Sequence, residues 1–307
     1  MTTHRFTPTQ YHNVLATLPP ALTVASGDIV VTETIDANGW DKHDGKVTHG
    51  PNPMNGPIAI EGAEPGDRLK VEILAMQPIR ATGWTRSALA ENVVDPSFVA
   101  SLPARPRATW SIDRNAQTVT LQDPPASLGP LTLPLAPMIG CFGVAPSQGQ
   151  AFSTATSAEN GGNMDYRRLG PGATIWFPVS APGALFFLGD CHALQGDGEI
   201  VGTGVETCYE VTVRLTVEKR SITWPRGETE RDIFTLGNAR PLEQALQHAT
   251  TEMTRWLAED YGLDITAASH LLGQAVRYDI GNVYDPAYTV ACRLPKSVLA
   301  KLGARGV

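Results

Sequence analysis

The sequence predicts a mainly β fold with an α+β region at its C-terminal end. Polar and apolar residues alternate through the first two thirds of the chain, as expected of strands with one buried face. Glycine and proline make up 29 and 24 of 307 residues, which favours many turns and short strands. Apolar residues at helical spacing occur only near the end. We therefore expect a β-rich body over residues 1–220 and an α+β region over residues 221–307, packed on it without a flexible linker.

Five segments of the body carry the strand predictions, each with a turn signal inside or beside it. Leu69, Val71 and Ile73 share one predicted face, and Val211, Val213, Leu215 and Val217 alternate strictly. The segments are 22–36, 57–76, 108–122, 174–190 and 204–219.

The C-terminal region predicts two helices and a final strand. Residues 241–262 place apolar side chains at helical spacing behind Pro241, which suits a first helical turn. The next helix begins after a cap at Asp264 or Thr266. Residues 288–295 predict the last strand.

Charge and cysteine content narrow the class of protein. The net charge is −7 and basic residues are dispersed, which argues against a nucleic-acid groove or an anionic membrane surface. No signal-peptide pattern opens the chain, and no apolar run is long enough to cross a bilayer. The four cysteines are widely spaced. We expect a cytoplasmic protein with free thiols whose partner is a small molecule or a second copy of the chain.

The segment GDCHALQGDGE, residues 189–199, concentrates charged side chains directly after an apolar strand. Strand alternation puts Asp190 and His192 on one face, about 6.6 Å apart, and Cys191 on the other. Two side chains at that spacing can share a divalent metal ion. An Asp–His hydrogen bond at a loop entrance is the other reading, and spacing alone does not decide between them.

Two glutamates follow. Glu199 begins the next predicted segment and could point back at the same site, although a glutamate facing solvent is commoner. Glu206 has apolar neighbours and no adjacent lysine or arginine, so its carboxyl could act as a general base near neutral pH. An exposed strand position is the alternative for Glu206.

The loop TIDANGWDKHDGKVTHG offers further acids and histidines, any of which could complete a coordination set. GxSxG and HExxH motifs are absent from the sequence, so serine-hydrolase and zincin chemistry find no support. Cys191 adjoins His192 but lies on the opposite face of the predicted strand, which places the two out of contact.

Several blocks together resemble the acetamidase/formamidase family over nearly the whole chain. They include IEGAEPGD, GCFGVAP, GGNMD and GDCHALQGDGE, in the family's order. The family motif reads GDGHA where this chain has GDCHA, so Cys191 replaces a glycine. The resemblance implies a jelly-roll-like β-sandwich, oligomeric assembly, and hydrolysis of short linear amides, with cyclic amides also acted on in the family.

The resemblance also implies bound divalent ions, zinc or calcium among them. The resemblance implies that the functional positions of the family correspond to these residues: Asp36, Glu61, Glu64, Asn163, Asp165, Asp190, His192, Glu199 and Glu206.

On this basis we expect Asp190 and His192 to hold a divalent ion, with Asp36 or a residue of the loop 41–49 as third ligand. The ion would polarise the amide carbonyl and lower the pKa of a bound water. Glu206 or Glu199 would take the proton, and Asn163 and Glu61 would bind substrate. Two alternatives stay open: a cysteine-dependent amidase with a structural metal only, and a non-catalytic protein that binds a small molecule.

Overall fold

Two large β-sheets packed face to face form the centre of the protein. The computed structural model describes residues 1–302. The strands, in chain order, are β1 Thr3–Phe6, β2 Val14–Ala16, β3 Leu22–Val24, β4 Asp28–Glu33, β5 Met54–Ile60, β6 Arg68–Pro78, β7 Thr82–Arg86, β8 Arg107–Asp113, β9 Thr118–Leu121, β10 Thr132–Pro134, β11 Met138–Val144, β12 Ala151–Ser153, β13 Ser157–Ala158, β14 Gly161–Asn163, β15 Thr174–Pro178, β16 Phe186–His192, β17 Glu206–Thr207, β18 Tyr209–Glu218, β19 Arg226–Glu228, β20 Asp232–Ala239, β21 Arg277–Asn282 and β22 Tyr288–Pro295. The helices are α1 Leu242–Tyr261, α2 Ile265–Ala275 and α3 Lys296–Leu299.

The first sheet has nine strands in the order β1-β4-β18-β6-β15-β19-β20-β22-β21. The second has eleven strands. Nine of them follow the order β10-β9-β8-β7-β17-β16-β11-β14-β13, and β5 joins through β16 with β3 beside it. One apolar core lies between the sheets, with Val71 and Val213 from the first facing Phe142 and Phe186 from the second. The prediction of a mainly β sandwich is confirmed.

Residues that alternate in the sequence lie on one face of the strands that form. The four apolar residues of β18 named above lie on one face, and the three innermost are fully buried. Residues 108–122 form the predicted hairpin of β8 and β9, with Trp110 opposite Leu121. The C-terminal region continues the first sheet, because β19 pairs with β15 of the body.

Both predicted helices form at the C-terminal end. Asp264 caps α2, since its side chain accepts the backbone N–H of Ala267 at 2.8 Å. The apolar faces of α1 and α2 pack with β22, where Met253, Leu257 and Leu272 contact Cys292 and Leu294 in a second core. Within residues 1–302, no helix combines the length and apolarity needed to cross a membrane.

A buried ion pair fixes α1 to the first sheet. Arg226 of β19 donates from Nε to Glu252 of α1 at 2.7 Å, and both side chains are at most 1% exposed. Arg226 also reaches the half-exposed Glu259 at 2.7 Å.

Replacement of Arg226 by methionine is expected to destabilise the fold by about 3–5 kcal/mol, because Glu252 would lose its closest partner while it stays buried. Urea unfolding followed by tryptophan fluorescence measures the change. Arg220→Met removes a partly exposed arginine that pairs with Glu259 and Asp260 near the C-terminal end of α1, and should cost less than about 1 kcal/mol. Equal losses in the two variants would contradict the assignment.

Candidate active site

The C-terminal end of β16 brings together side chains from five parts of the chain. Asp190 and His192 close this strand, and Glu206 of β17 lies opposite His192 in the ladder. Asp165 follows β14, Glu199 lies in a 3-10 turn, and the turn between β21 and β22 adds Asn282 and Asp285. All of them are buried.

His192 lies at the centre of the first group. Its Nε2 is 3.2 Å from Glu206 Oε1 and 3.4 Å from Asp190 Oδ1. The predicted strand alternation is correct here, because Cys191 points away into the core between the sheets. Glu206 is buried, with 1% of its surface exposed, so it does not occupy the exposed strand position that was its alternative.

Gln195 sets the orientation of the imidazole. Its Nε2 donates to the backbone carbonyls of Asp165 and Gly281, so its Oε1 must face His192. That oxygen is 2.8 Å from Nδ1 and therefore accepts the Nδ1 hydrogen. The Nε2 atom is left to face Asp190 and Glu206, as in histidines that ligate a metal through one nitrogen and donate from the other.

A second group of carboxylates surrounds Asn282. Its Nδ2 lies 2.7 Å from Asp165 Oδ2, 2.9 Å from Glu199 Oε2 and 2.7 Å from Asp285 Oδ2. Two amide hydrogens thus serve three carboxylates. Its Oδ1 accepts the backbone N–H groups of Tyr284 and Asp285, so the turn that carries Asn282 also holds it in place.

Within residues 1–302, none of the five carboxylates of the two groups forms an ion pair with lysine or arginine. Burial raises the pKa of Glu206 to about 8 and that of Asp285 to about 7, and Asp190 adds to both. Burial and the neighbouring Asp285 raise the pKa of Asp165 well above its usual value. For His192, burial acts to lower the pKa, but Glu206 and Asp190 outweigh it and raise the pKa. The cluster therefore requires protons or a cation.

The backbone is strained where it presents these groups. Asn52, Asp165, Asp190 and Glu199 have φ values of 41°, 45°, 51° and 50°. Non-glycine residues rarely adopt this left-handed region, and such strain concentrates at functional sites.

Two glycines leave the space that the side chains fill. A Cβ on Gly140 would lie 2.5 Å from Asp165 Oδ1 and 2.9 Å from Asp190 Oδ2. A Cβ on Gly204 would lie 2.4 Å from His192 Nδ1. Both contacts are shorter than real Cβ contacts, so any side chain at either position would displace the cluster.

The donor set fits a divalent cation. His192 offers ligand atoms within 4.8 Å of those of Asp190 and Glu206, and a second set joins it to Asp165 and Glu199. Two buried oxygens of these residues, Glu206 Oε2 and Asp165 Oδ1, have no hydrogen-bond partner among residues 1–302. Unpartnered buried carboxylate oxygens beside an imidazole nitrogen are the chemistry that a metal ion satisfies.

Asp36 does not join the cluster. Its Oδ2 accepts from Arg80 and from the Trp84 indole at 3.0 Å each, and its Oδ1 accepts two backbone N–H groups of its own loop. Since four donors, one of them an arginine, already satisfy this carboxylate, Asp36 is left out of the proposed ligands. In the loop 41–49, His43, Asp44 and His49 are exposed.

Glu61 also lies apart from the cluster. Residue 54, at the start of β5, pairs with Gly189 beside the cluster, whereas Glu61 follows the far end of that strand. Seven residues of strand separate the two by about 23 Å. Glu61 lies exposed in a turn there and is left out of the proposed site.

Asn163 and Glu199 line the same pocket as Asp190 and Glu206, a cavity of about 230 Å³ walled by Trp84 and Tyr284. Asn163 accepts from Asn52 at 2.8 Å and gives one amide hydrogen to Asp285, so its second hydrogen has no acceptor among residues 1–302 and can donate to a ligand. Glu199 belongs to a 3-10 turn rather than to the start of a strand.

Gln195, Asn282 and Asp285 contact the predicted site residues but were not predicted from the sequence. The two last residues lie in a turn more than 80 positions beyond Glu199, and turn-forming Asn and Asp carry no local sign of their partners. Gln195 is adjacent to the predicted cluster, and its proximity to His192 was the one available signal.

Replacement of Gly204 by alanine is expected to weaken Zn²⁺ binding by about 10- to 100-fold, because the methyl group would push the His192 ring out of position. Calorimetric titration of metal-depleted protein measures the affinity. Gly196→Ala is the matched control, since a Cβ there meets nothing within 4 Å. Unchanged affinity in Gly204→Ala would contradict this placement of the ring.

Known proteins share this sequence and fold. A model of the Acetamidase/Formamidase family matches residues 5–150 and 148–278. An acetamidase of Mycolicibacterium smegmatis is 28% identical in an alignment 245 positions long that covers 62% of this chain. The chain covers 59% of that relative's length.

Two solved structures match across nearly their whole length. An acetamidase from Yersinia enterocolitica has a TM-score of 0.84 at 33% identity, covering 97% of this chain and 93% of that one. An acetamidase from Bacillus halodurans has a TM-score of 0.83 at 30% identity, covering 98% of this chain and 100% of that one. The chain belongs to the acetamidase/formamidase family.

Proposed function

We propose that this chain hydrolyses the C–N bond of short amides to a carboxylate and ammonia, with a divalent cation held by Asp190, His192 and Glu206. The observation that carries the proposal is the convergence of one imidazole and two carboxylates at the buried end of a small pocket, with no lysine or arginine paired to them within the described chain. Membership of an amidase family supports the same reaction.

Zinc is the proposed metal. Zinc binds imidazole nitrogen and carboxylate oxygen and takes three protein ligands in catalytic sites, whereas calcium takes six to eight oxygen ligands. When bound, the cation would polarise the amide carbonyl and lower the pKa of a water molecule. His192 binds through Nε2 because Gln195 holds Nδ1 as a donor.

Glu199 is the proposed proton-transfer residue. It lines the pocket, and Asn282 holds its Oε2 at 2.9 Å without an opposing charge. Its Oε1 accepts no hydrogen bond from residues 1–302 and can take a proton from water and pass it to the leaving nitrogen. Of the two glutamates considered as the base, Glu206 is then assigned to the cation.

Asn163 is the proposed substrate-binding residue. The Nδ2 hydrogen that is not bonded to Asp285 can donate to a ligand. The carbonyl oxygen of an amide substrate is a suitable acceptor for it. Hydrogen bonds to Asn52 and Asp285 hold the side chain, so little entropy is lost when it binds substrate.

The size of the pocket favours short substrates. Its volume of about 230 Å³ lies below the range of roughly 300–1,000 Å³ that is typical for drug-sized ligands. Formamide, acetamide and propionamide are therefore the proposed linear substrates. Small cyclic amides are the second proposed substrate class, and the same assay should include one of them.

The cysteine-dependent alternative finds no support in the geometry. Cys191 is fully buried among apolar residues, and burial raises the pKa of its thiol to about 12. A thiol in such surroundings is not the thiolate that attacks a carbonyl. A non-catalytic binding role is less favoured because binding pockets are mostly apolar, whereas four carboxylates line this one.

Glu199→Gln is expected to lower kcat for acetamide by about 100-fold or more while it leaves the metal content unchanged, because only proton transfer is removed. His192→Ala should lose both the metal and the activity. Ammonia release and elemental analysis by mass spectrometry measure the two quantities, and chelation of the wild type should abolish activity.

Asp197→Asn serves as the control for these variants, since Asp197 lies two residues from Glu199 but is exposed and paired with Arg167. A metal-free and fully active wild type would contradict the proposed role of the cation. A wild type that binds amides without ammonia release would favour the non-catalytic alternative.

Cys191→Ala is expected to keep ammonia release at the order of magnitude of the wild type, because its sulfur faces the core rather than the pocket. Iodoacetamide should leave Cys191 unmodified in the native protein, as mapped by peptide mass spectrometry. Alkylation of the urea-unfolded chain is the positive control. Inactivation that coincides with labelling of Cys191 would restore the cysteine mechanism.

A further inference from the structure

The pocket that holds the carboxylate cluster has opposite charges at its two ends. Asp190, Glu199, Glu206 and Asp285 lie at its buried end. Arg86, at the end of β7, is exposed to solvent and is the only lysine or arginine among the described residues that line it. A ligand that fills the pocket therefore meets buried acids and the exposed residue Arg86.

A backbone hydrogen bond holds Arg86 in place, but no acidic side chain of residues 1–302 neutralises its guanidinium charge. Its N–H donates to Thr203 Oγ1 at 2.8 Å, and its Nη1 reaches only the carbonyl of Arg105, at 3.4 Å. Within residues 1–302 it forms no ion pair, and four of its five guanidinium hydrogens have no acceptor. Because Thr203 accepts from the backbone, its own hydroxyl hydrogen is free to donate into the same pocket.

The two neighbouring arginines, Arg105 and Arg107, do not neutralise the charge of Arg86 and lie against aromatic rings instead. Arg107 lies directly opposite Arg86 in the β7–β8 ladder, an arrangement of like charges that is unfavourable. The guanidinium of Arg107 lies 3.9 Å from the ring centre of Trp84, and that of Arg105 lies 5.5 Å from the ring centre of Tyr284. These two arginines thus support the aromatic walls of the pocket, while Arg86 is left for a ligand.

We propose that Arg86, with Thr203, binds an anionic group at the far end of the substrate, so that the preferred substrates are short amides that carry a carboxylate. This inference rests on the proposed amide hydrolysis. A guanidinium that is free to donate in pairs matches the two oxygens of a carboxylate. The monoamides of short dicarboxylic acids are the simplest members of this class.

The reaction of such a substrate balances without a further reactant. Water adds its oxygen to the amide carbon, the C–N bond breaks, and the nitrogen leaves as ammonia and is protonated to ammonium. Malonamate and water thus yield malonate, with a charge of minus two, and one ammonium ion. The net charge of minus one is the same on both sides.

Malonamate and 3-methylbutanamide form a matched pair for the test, because they have the same number of heavy atoms and differ in the carboxylate. The ratio of their kcat/KM values should favour malonamate in the wild type. In Arg86→Gln this ratio should fall by about 10- to 100-fold, the range expected for a hydrogen bond to a charged group. Arg86→Lys keeps the charge but not the paired donors and should give an intermediate ratio.

Arg114→Gln is the control variant. Arg114 is exposed at the turn that follows β8, seven residues or about 23 Å along the chain from Arg107. The ratio should not change in this variant. A wild-type ratio near one, or an equal loss for both amides in Arg86→Gln, would overturn the assignment of Arg86.

Failure of the proposed hydrolysis would look different. In that case the wild type would release no ammonia from any amide, including formamide and acetamide. Malonamate could then be titrated calorimetrically without turnover. Weaker binding to Arg86→Gln than to the wild type would support the anion site, and equal binding would overturn it.

Discussion

The structure depends on how five buried carboxylates are accommodated around one imidazole. Isolated ionised carboxyls cannot remain in an apolar interior, and no arginine or lysine of residues 1–302 neutralises these. His192, Asn282 and the backbone carry the arrangement, with Glu206 Oε2 and Asp165 Oδ1 left unsatisfied. The cost of assembling like charges must be met by the stability of the two sheets and by whatever cation the cluster binds. The fold thus acts as a rigid frame for an arrangement that is unfavourable by itself.

The surrounding residues show how that frame works. Gln195 fixes the histidine through two backbone carbonyls, and Gly204 leaves room for the ring. Asp36, by contrast, lies in the same region but forms an ion pair with Arg80. The comparison separates a structural carboxylate from those with a proposed chemical role: Asp36 has an arginine partner and four hydrogen-bond donors, whereas none of the five carboxylates of the cluster has a lysine or arginine partner within residues 1–302.

Much of the fold could be predicted from the sequence, because alternation and turn residues are local signals. The hairpin of β8 and β9, the long strand β18 and both main helices follow from them. The same local rule placed Asp190 and His192 together and turned Cys191 away. It gives no sign of the environment of Asp36, whose partner Arg80 lies 44 residues away, or of the position of Glu61, because the direction of β5 relative to β16 cannot be read from either segment alone. Asn282 and Asp285 escaped for the same physical reason, since their contacts depend on sheet topology.

The turn between β21 and β22 has a consequence for the order in which this protein matures. Asn282 joins Asp165 across 117 residues of chain and Glu199 across 83. A ribosome-bound chain can therefore pair most of the eleven-stranded sheet while the acids near β16 still lack the amide that holds three of them. The pocket acquires its complete set of polar groups only when synthesis has passed Asp285. An incomplete chain thus exposes repelling carboxylates rather than a partly active site.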